Sequence, residues 1–199
     1  MRRLLLTLSA LLLLGCADNT GPATRDDDQL NIVRQSATAP ALLVTRDSFY
    51  AKVGAGREKR IYYADVVPGD SGEEFLRFEV PGDGLLRHPD GHLFAPGDSI
   101  LITITIVDAT RFLFTFEPSG LLFNPNDPAR LKVRYVNSDK DFNDDGVENE
   151  VDSVIESELD LWHRQTATSP WFKNGSVKFE ELDELSANIR SFSQYALAW

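Results

Sequence analysis

The sequence predicts an all-β protein, an antiparallel β-sandwich standing behind a signal peptide and a flexible tether. Three observations point there. From residue 40 onward, short runs rich in β-branched and aromatic residues follow one another at roughly even spacing, the pattern of a sandwich or barrel. Clusters of Gly, Pro, Asp and Asn lie between the runs, and these residues make turns. Only residues 180–188 offer a helix, and that stretch is short and acidic.

In chain order, residues 1–15 open with Arg2 and Arg3 and continue as LLLTLSALLLLG. The run is too short to span about 30 Å of hydrocarbon, which takes roughly twenty residues. A charged start, a short apolar stretch and small residues at its end make a secretory signal. It closes as Leu13-Leu14-Gly15-Cys16, which resembles the lipobox of bacterial lipoproteins. The resemblance implies cleavage before Cys16 and attachment of a diacylglyceryl thioether and an N-acyl chain such as palmitate. Several acyl chains on one residue exceed what stable membrane anchoring needs. Cys16 is the one cysteine in the chain, so no intramolecular disulfide forms. Ala17 and Asp18 follow it, without the adjacent Asp that retains some lipoproteins at the inner membrane. An outer-membrane location in the cell envelope is therefore favoured where the host has one.

Residues 16–39 are polar, carry Asp26-Asp27-Asp28 and hold no sustained period. They read as a tether between lipid and domain, the alternative being a short edge strand at Leu30-Asn31-Ile32-Val33. The domain then occupies residues 40–199. Its candidate strands are 42–53, 60–67, 75–80, 99–108, 112–117, 131–136, 158–164, 177–180 and 187–199, the last in one or two pieces. The clearest is 99–108, where Ile102, Ile104 and Ile106 alternate with Thr103 and Thr105, as a strand with one buried face requires. Turns are expected at Pro68-Gly69-Asp70-Ser71-Gly72, Pro81-Gly82-Asp83-Gly84, Pro89-Asp90-Gly91, Ala95-Pro96-Gly97-Asp98 and Asn174-Gly175. Asn-Gly between two alternating runs is a strong hairpin signal.

Charge narrows the partners. The net charge is −11, and the first fifteen residues hold two arginines and no acid, so their removal makes it more negative. Nucleic acid is excluded, because cations neutralising phosphates supply that affinity. A polybasic grip on anionic lipid is excluded on the same ground. At 42% hydrophobic and 26% charged residues, the chain is too apolar for global disorder.

The sharpest chemical signal is residues 141–152. With Asp141 as position 1, side-chain oxygens fall at Asp141, Asn143, Asp145, Asn149 and Asp152, and Gly146 occupies position 6. Calcium takes six to eight oxygens, and this spacing wraps them around one centre, with the Val147 carbonyl as the backbone ligand. Asp139, Asp141, Asp144 and Asp145 also crowd four acids into seven residues, a Coulombic cost that a cation relieves. The alternative is a solvated acidic loop. Position 12 is Asp152 rather than Glu, and the D-x-N-x-D-G-x-x-N-x-x-D form resembles the loops of dockerins and thrombospondin-type repeats. A single copy points to a structural ion.

Other constellations are weaker. His88-Pro89-Asp90-Gly91-His92 reads as a turn, with no carboxylate–histidine pair evident beside it. No G-x-S-x-G elbow accompanies the three histidines. Gly54-Ala55-Gly56 lacks the third glycine and following helix of a dinucleotide fingerprint. His163 reads as a half-exposed strand residue. Trp162, Trp171 and Trp199 read as packing residues, the alternative being an exposed aromatic platform for glycans.

The C-terminal part, about residues 75–199, resembles the ZU5 domain, a β-sandwich interaction module. The matching residues are Phe78-Glu79-Val80-Pro81, the run from Phe116 to Phe123, the run from Pro128 to Tyr135, Leu159-Asp160-Leu161-Trp162, and Phe192-Ser193-Gln194-Tyr195-Ala196-Leu197. The chain departs from the pattern at Gly82-Asp83-Gly84, at an insertion around His88 and His92, and in the acidic segment after Tyr135. Some relatives of that family cleave themselves within a His-Phe-Ser motif. Here Ser191 stands where that histidine would be, so the hydroxyl of Ser193 lacks an activating base and autocleavage is not expected. The resemblance implies a non-catalytic module that binds an envelope protein. The alternative is a calcium-dependent glycan-binding or glycan-processing accessory domain using exposed Trp162 and Trp171.

Overall fold

The computed structural model describes residues 23–64 and 72–199. The signal peptide, Cys16 and most of the Pro68 turn lie outside the described residues.

Two antiparallel sheets pack face to face. The first has seven strands, in the order β1 (Thr24–Arg25), β11 (Trp171–Lys173), β10 (Asp160–Arg164), β14 (Gln194–Ala198), β7 (Leu113–Glu117), β6 (Ser99–Asp108) and β2 (Arg46–Lys52). The second has five, in the order β12 (Val177–Phe179), β13 (Glu184–Ile189), β9 (Ala129–Arg134), β4 (Glu74–Val80) and β3 (Arg57–Tyr62). A small ladder joins β5 (Leu85–Arg87) to β8 (Leu122–Phe123). The one α-helix among the described residues is α1 (Glu150–Glu158). The all-β sandwich is the fold expected.

Period-two patterning builds the core. Along β6, Ile102, Ile104 and Ile106 are buried while Leu101 and Val107 stay exposed. They share the interior with Phe114 and Phe116 of β7, and the facing sheet supplies Leu76, Phe78, Leu131, Val133 and Leu185. Phe78 sits at the centre, its ring 5.0 Å from Phe116, 5.5 Å from Phe192 and 6.1 Å from Phe123. Tilted and edge-on aromatic pairs of this kind add about 0.5–1.5 kcal/mol each beyond the area they bury.

The strand expected at 99–108 forms as β6 with those bounds, and 187–199 divides between β13 and β14. β5, β8 and β11 were not expected; at two or three residues each they carry too little alternation to register. Three expectations are corrected. The Asn174-Gly175 turn closes no hairpin, because it links β11 of the first sheet to β12 of the second. Residues 180–188 are not a helix: one turn of 3-10 helix at Glu180–Leu182 ends at Asp183 in the left-handed region (φ 45°), and β13 follows. Its pairing with β9, in which Leu185 opposes Val133 and Ala187 opposes Leu131, buries apolar side chains that an isolated acidic helix would leave in water. The helix forms instead at α1, within the acidic segment.

The flexible tether does not extend over residues 23–39. Thr24 and Arg25 pair with Phe172 and Trp171, and Val33 is fully buried. The Val33 N–H donates to the Leu197 carbonyl, and its own carbonyl accepts from Phe112 N–H, both at 3.0 Å. Leu30 joins Trp162, Trp171, Ala196 and Ala198 in a second, smaller cluster. On β14, Tyr195 and Leu197 face the main core while Ala196 and Ala198 face this cluster. The segment is thus a strap along the seven-stranded sheet, with Leu30 on its outer face and Val33 in the main core, held by the few apolar residues in an otherwise polar stretch.

Candidate functional site

The acidic loop folds into a tight turn. Asp141 accepts N–H groups from Asp145 (3.1 Å) and Gly146 (2.7 Å). Asn143 Oδ1 also accepts from Asp145 N–H, at 3.0 Å, and the Asn143 side-chain amide donates to Asp145 at 3.0 Å. Val147 N–H donates to Asp145 at 2.9 Å. Gly146 takes φ 86°, a conformation that costs glycine little and other residues more. Asp144 has φ 61°, which Asp tolerates better than most, and its carboxylate pairs with Arg34 of the strap.

Asp152 closes the loop from the first turn of α1. It is 2% exposed, and its carboxylate accepts Asn149 N–H at 2.9 Å and Asn143 N–H at 3.2 Å. Asn149 caps the helix, its Oδ1 accepting from Val151 N–H at 2.8 Å, so the two residues form a reciprocal capping box. Burial opposes the charge on Asp152, but backbone N–H donors from Asn149, Asn143 and Phe142 outweigh it and hold the carboxyl below the usual range.

The side chains at Asp141, Asn143, Asp145 and Asp152 therefore all engage the loop's own interior. Asn149 is engaged as the cap, and its amide donates to the Val147 carbonyl at 2.8 Å. Among the described residues, no three His, Cys, Asp or Glu side chains stand close enough to share an ion between them; the carboxylates take N–H groups instead. The donor set nevertheless suits a hard cation, since every group in it is an oxygen. Position 9 of such loops commonly acts through water, which leaves Asn149 free to remain the cap.

The loop is tied to three parts of the fold. Arg34 and Asp139 link it to the strap, with Asp139 N–H donating to the Arg34 carbonyl at 2.9 Å. Phe142 meets Trp199 edge-on at 5.6 Å. Lys140 Nζ lies 2.9 Å from Glu156 of α1 and 3.4 Å from Asp183. The sequence shows the oxygen spacing; the capping box was not expected, although Asn149 and Asp152 stand at its i, i+3 spacing. The link to Arg34 had no local signal, because the two partners are 110 residues apart.

The other candidates resolve plainly. His88 stacks on Phe94 at 3.6 Å between ring centroids, and His88 N–H donates to the His92 carbonyl across a turn. That turn does hold a carboxylate–histidine pair, Asp90 with His92 at 3.1 Å, but both side chains lie mostly in solvent. Gly54-Ala55-Gly56 makes the tight connection from β2 to β3, with Gly54 at φ 83°. Trp162 and Trp171 are buried, so they form no exposed platform. Trp162 Nε1 donates to the Ala198 carbonyl at 3.2 Å, and Trp171 Nε1 to Asp27 at 2.7 Å. Arg164 covers the Trp171 ring at 4.5 Å. Ser193 is buried and its hydroxyl meets no hydrogen-bond partner, so no base touches it. Tyr195, whose hydroxyl donates to the Ser191 carbonyl at 2.7 Å, has its phenol pushed up by burial.

Compared with known protein families, curated proteins and solved structures, the chain matches none.

Proposed function

We propose that the chain is a lipid-anchored β-sandwich of a bacterial cell envelope that works as a non-catalytic protein-interaction module, with one structural calcium in the loop 141–152. The observation that carries the binding role is the edge of the second sheet. β12 pairs with β13 on one side and, among the described residues, with no strand on the other. Its Val177 and Phe179 are exposed, and Leu182 beside them is exposed too. A free edge with apolar side chains accepts an extended segment, main-chain hydrogen bonds supplying affinity and side chains specificity. The resemblance of residues 75–199 to ZU5 interaction modules agrees with this role.

Calcium would supply the positive charge the acidic loop lacks. Asp141, Asn143, Asp145, Asp152 and the Val147 carbonyl would hold it, with Asn149 acting through water. Because the same loop grips the strap through Arg34 and the C-terminus through Phe142, the ion would stiffen the junction that carries load from the anchor. Six residues separate Cys16 from Ala23, so the packed domain would stand within about 25 Å of the lipid, from the reach of roughly 3.5 Å per extended residue.

A photo-crosslinking amino acid at position 179, in cells making the full chain, tests the binding role. The reading expects a discrete protein adduct at 179 and none at the more exposed Tyr50. Absence of an adduct at 179, or the same adducts at both positions, contradicts it.

A further inference from the structure

A cleft of about 680 Å³ lies where the chain crosses from β11 of the first sheet to β12 of the second. Its size is that of a small-molecule site. The ionised side chains that line it are cationic: Lys173 and Arg190, joined by the imidazole of His163, with no Asp or Glu on the wall. A wall with cations and no carboxylate favours anions over cations. Lys173 already lies 3.6 Å from Asp160. Arg190 is exposed and makes no ion pair among the described residues, so its guanidinium is the free partner for a carboxylate, which it grips with two parallel hydrogen bonds.

The remainder of the lining is neutral and polar. Asn174 and Asn188 present amide groups, and Asn174 is oriented by donating to the Asn188 carbonyl at 3.2 Å. Amides offer both donors and acceptors, which is what a row of hydroxyls needs. Phe172 adds an apolar wall beside His163, whose ring lies 5.9 Å from Phe172 and 5.6 Å from Tyr195.

We propose that this cleft binds a small hydroxyl-rich carboxylate of the acidic-sugar class, its carboxylate on Arg190 and its hydroxyls on Asn174 and Asn188. One free cation suits a monoanion better than a phosphate dianion. The inference goes beyond the interaction-module reading and does not depend on it or on calcium.

Calorimetric titration of the full chain, purified in detergent and kept in chelator, tests it with galacturonate and glucuronate as probes. At least one should bind saturably at one site. Arg190→Gln should weaken that binding about tenfold or more, the scale of one charge-assisted contact, and Asn188→Ala several-fold, with melting temperatures unchanged. Galactose and inorganic phosphate should bind at least tenfold more weakly. Failure of both uronates to bind, binding indifferent to Arg190→Gln, or phosphate binding as tight as the uronate would each overturn the proposal.

Discussion

Leu30→Ala separates a structural strap from a loose tether. Leu30 is 8% exposed and packs with Trp162, Trp171, Ala196 and Ala198. The change removes three carbons, worth about 2.4 kcal/mol at 0.8 kcal/mol per methylene, and leaves a cavity that adds to the loss. The cluster lies at the sheet's outer face, where neighbours relax more readily than in the main core, so a total of about 2–3 kcal/mol is expected. For a domain of this size each kcal/mol moves Tm by about 2–4 °C, so the variant should melt roughly 4–12 °C lower. Scanning calorimetry or circular dichroism reads the shift, with Leu43→Ala as the control because Leu43 is exposed. A Leu30→Ala Tm within about 2 °C of the parent would refute the strap and return residues 23–39 to a tether.

The strap also carries a charge test. Trp171→Phe loses the bond to Asp27, whose side chain is 67% exposed, worth about 1 kcal/mol once discounted for solvent, and the smaller ring leaves a void at a fully buried site, so Tm should fall by at least roughly 2–4 °C. The Trp171 and Arg164 hydrogen bonds hold the Asp27 carboxyl below the usual range. Stability from it is therefore full above the unfolded value of about 4 and is lost as pH falls through the folded value, a limb that Trp171→Phe should shrink in acid melts. Burial pushes the His163 imidazole below its ordinary value. As pH falls below about 6.5 the unfolded chain takes up this proton first, so stability declines until the folded value is passed. His163→Gln should flatten the Tm profile below about pH 6.5, and a decline identical to the parent's would count against the half-buried imidazole as its source.

Much of the fold was legible because its strongest signals are local. The alternation of Ile102, Ile104 and Ile106 against threonines marks one buried face without knowledge of any partner strand. The same holds for the oxygen spacing from Asp141 to Asp152, since ligand loops are short-range objects. What escaped was decided by distant partners. Leu30 and Val33 sit in a polar stretch, and only the arrival of Trp171 and Leu197, more than 130 residues later, makes their burial favourable. The helix was hidden for a different reason: Asn149 and Asp152 each serve two patterns, ligand positions 9 and 12 and the ends of a capping box. Residues 180–188 have composition suited to a short helix, yet β9 offers Leu185 and Ala187 an apolar face that the helix would not. The cleft at Arg190 draws on separate strands of both sheets, and no linear motif marks such a site.

Calcium titration into the full chain, purified in detergent and freed of divalent ions by chelator, tests the centre of this account most directly. The account predicts one saturable site with Kd on the order of 10⁻⁴ M or tighter. At a hundredfold excess over Kd the ion should add about 2.7 kcal/mol and raise Tm by roughly 5–10 °C, and the combined Asp141→Ala and Asp145→Ala changes should abolish both effects. No heat and no change in Tm at millimolar calcium would contradict it, leaving the loop a capped acidic turn held by its own N–H groups and Arg34.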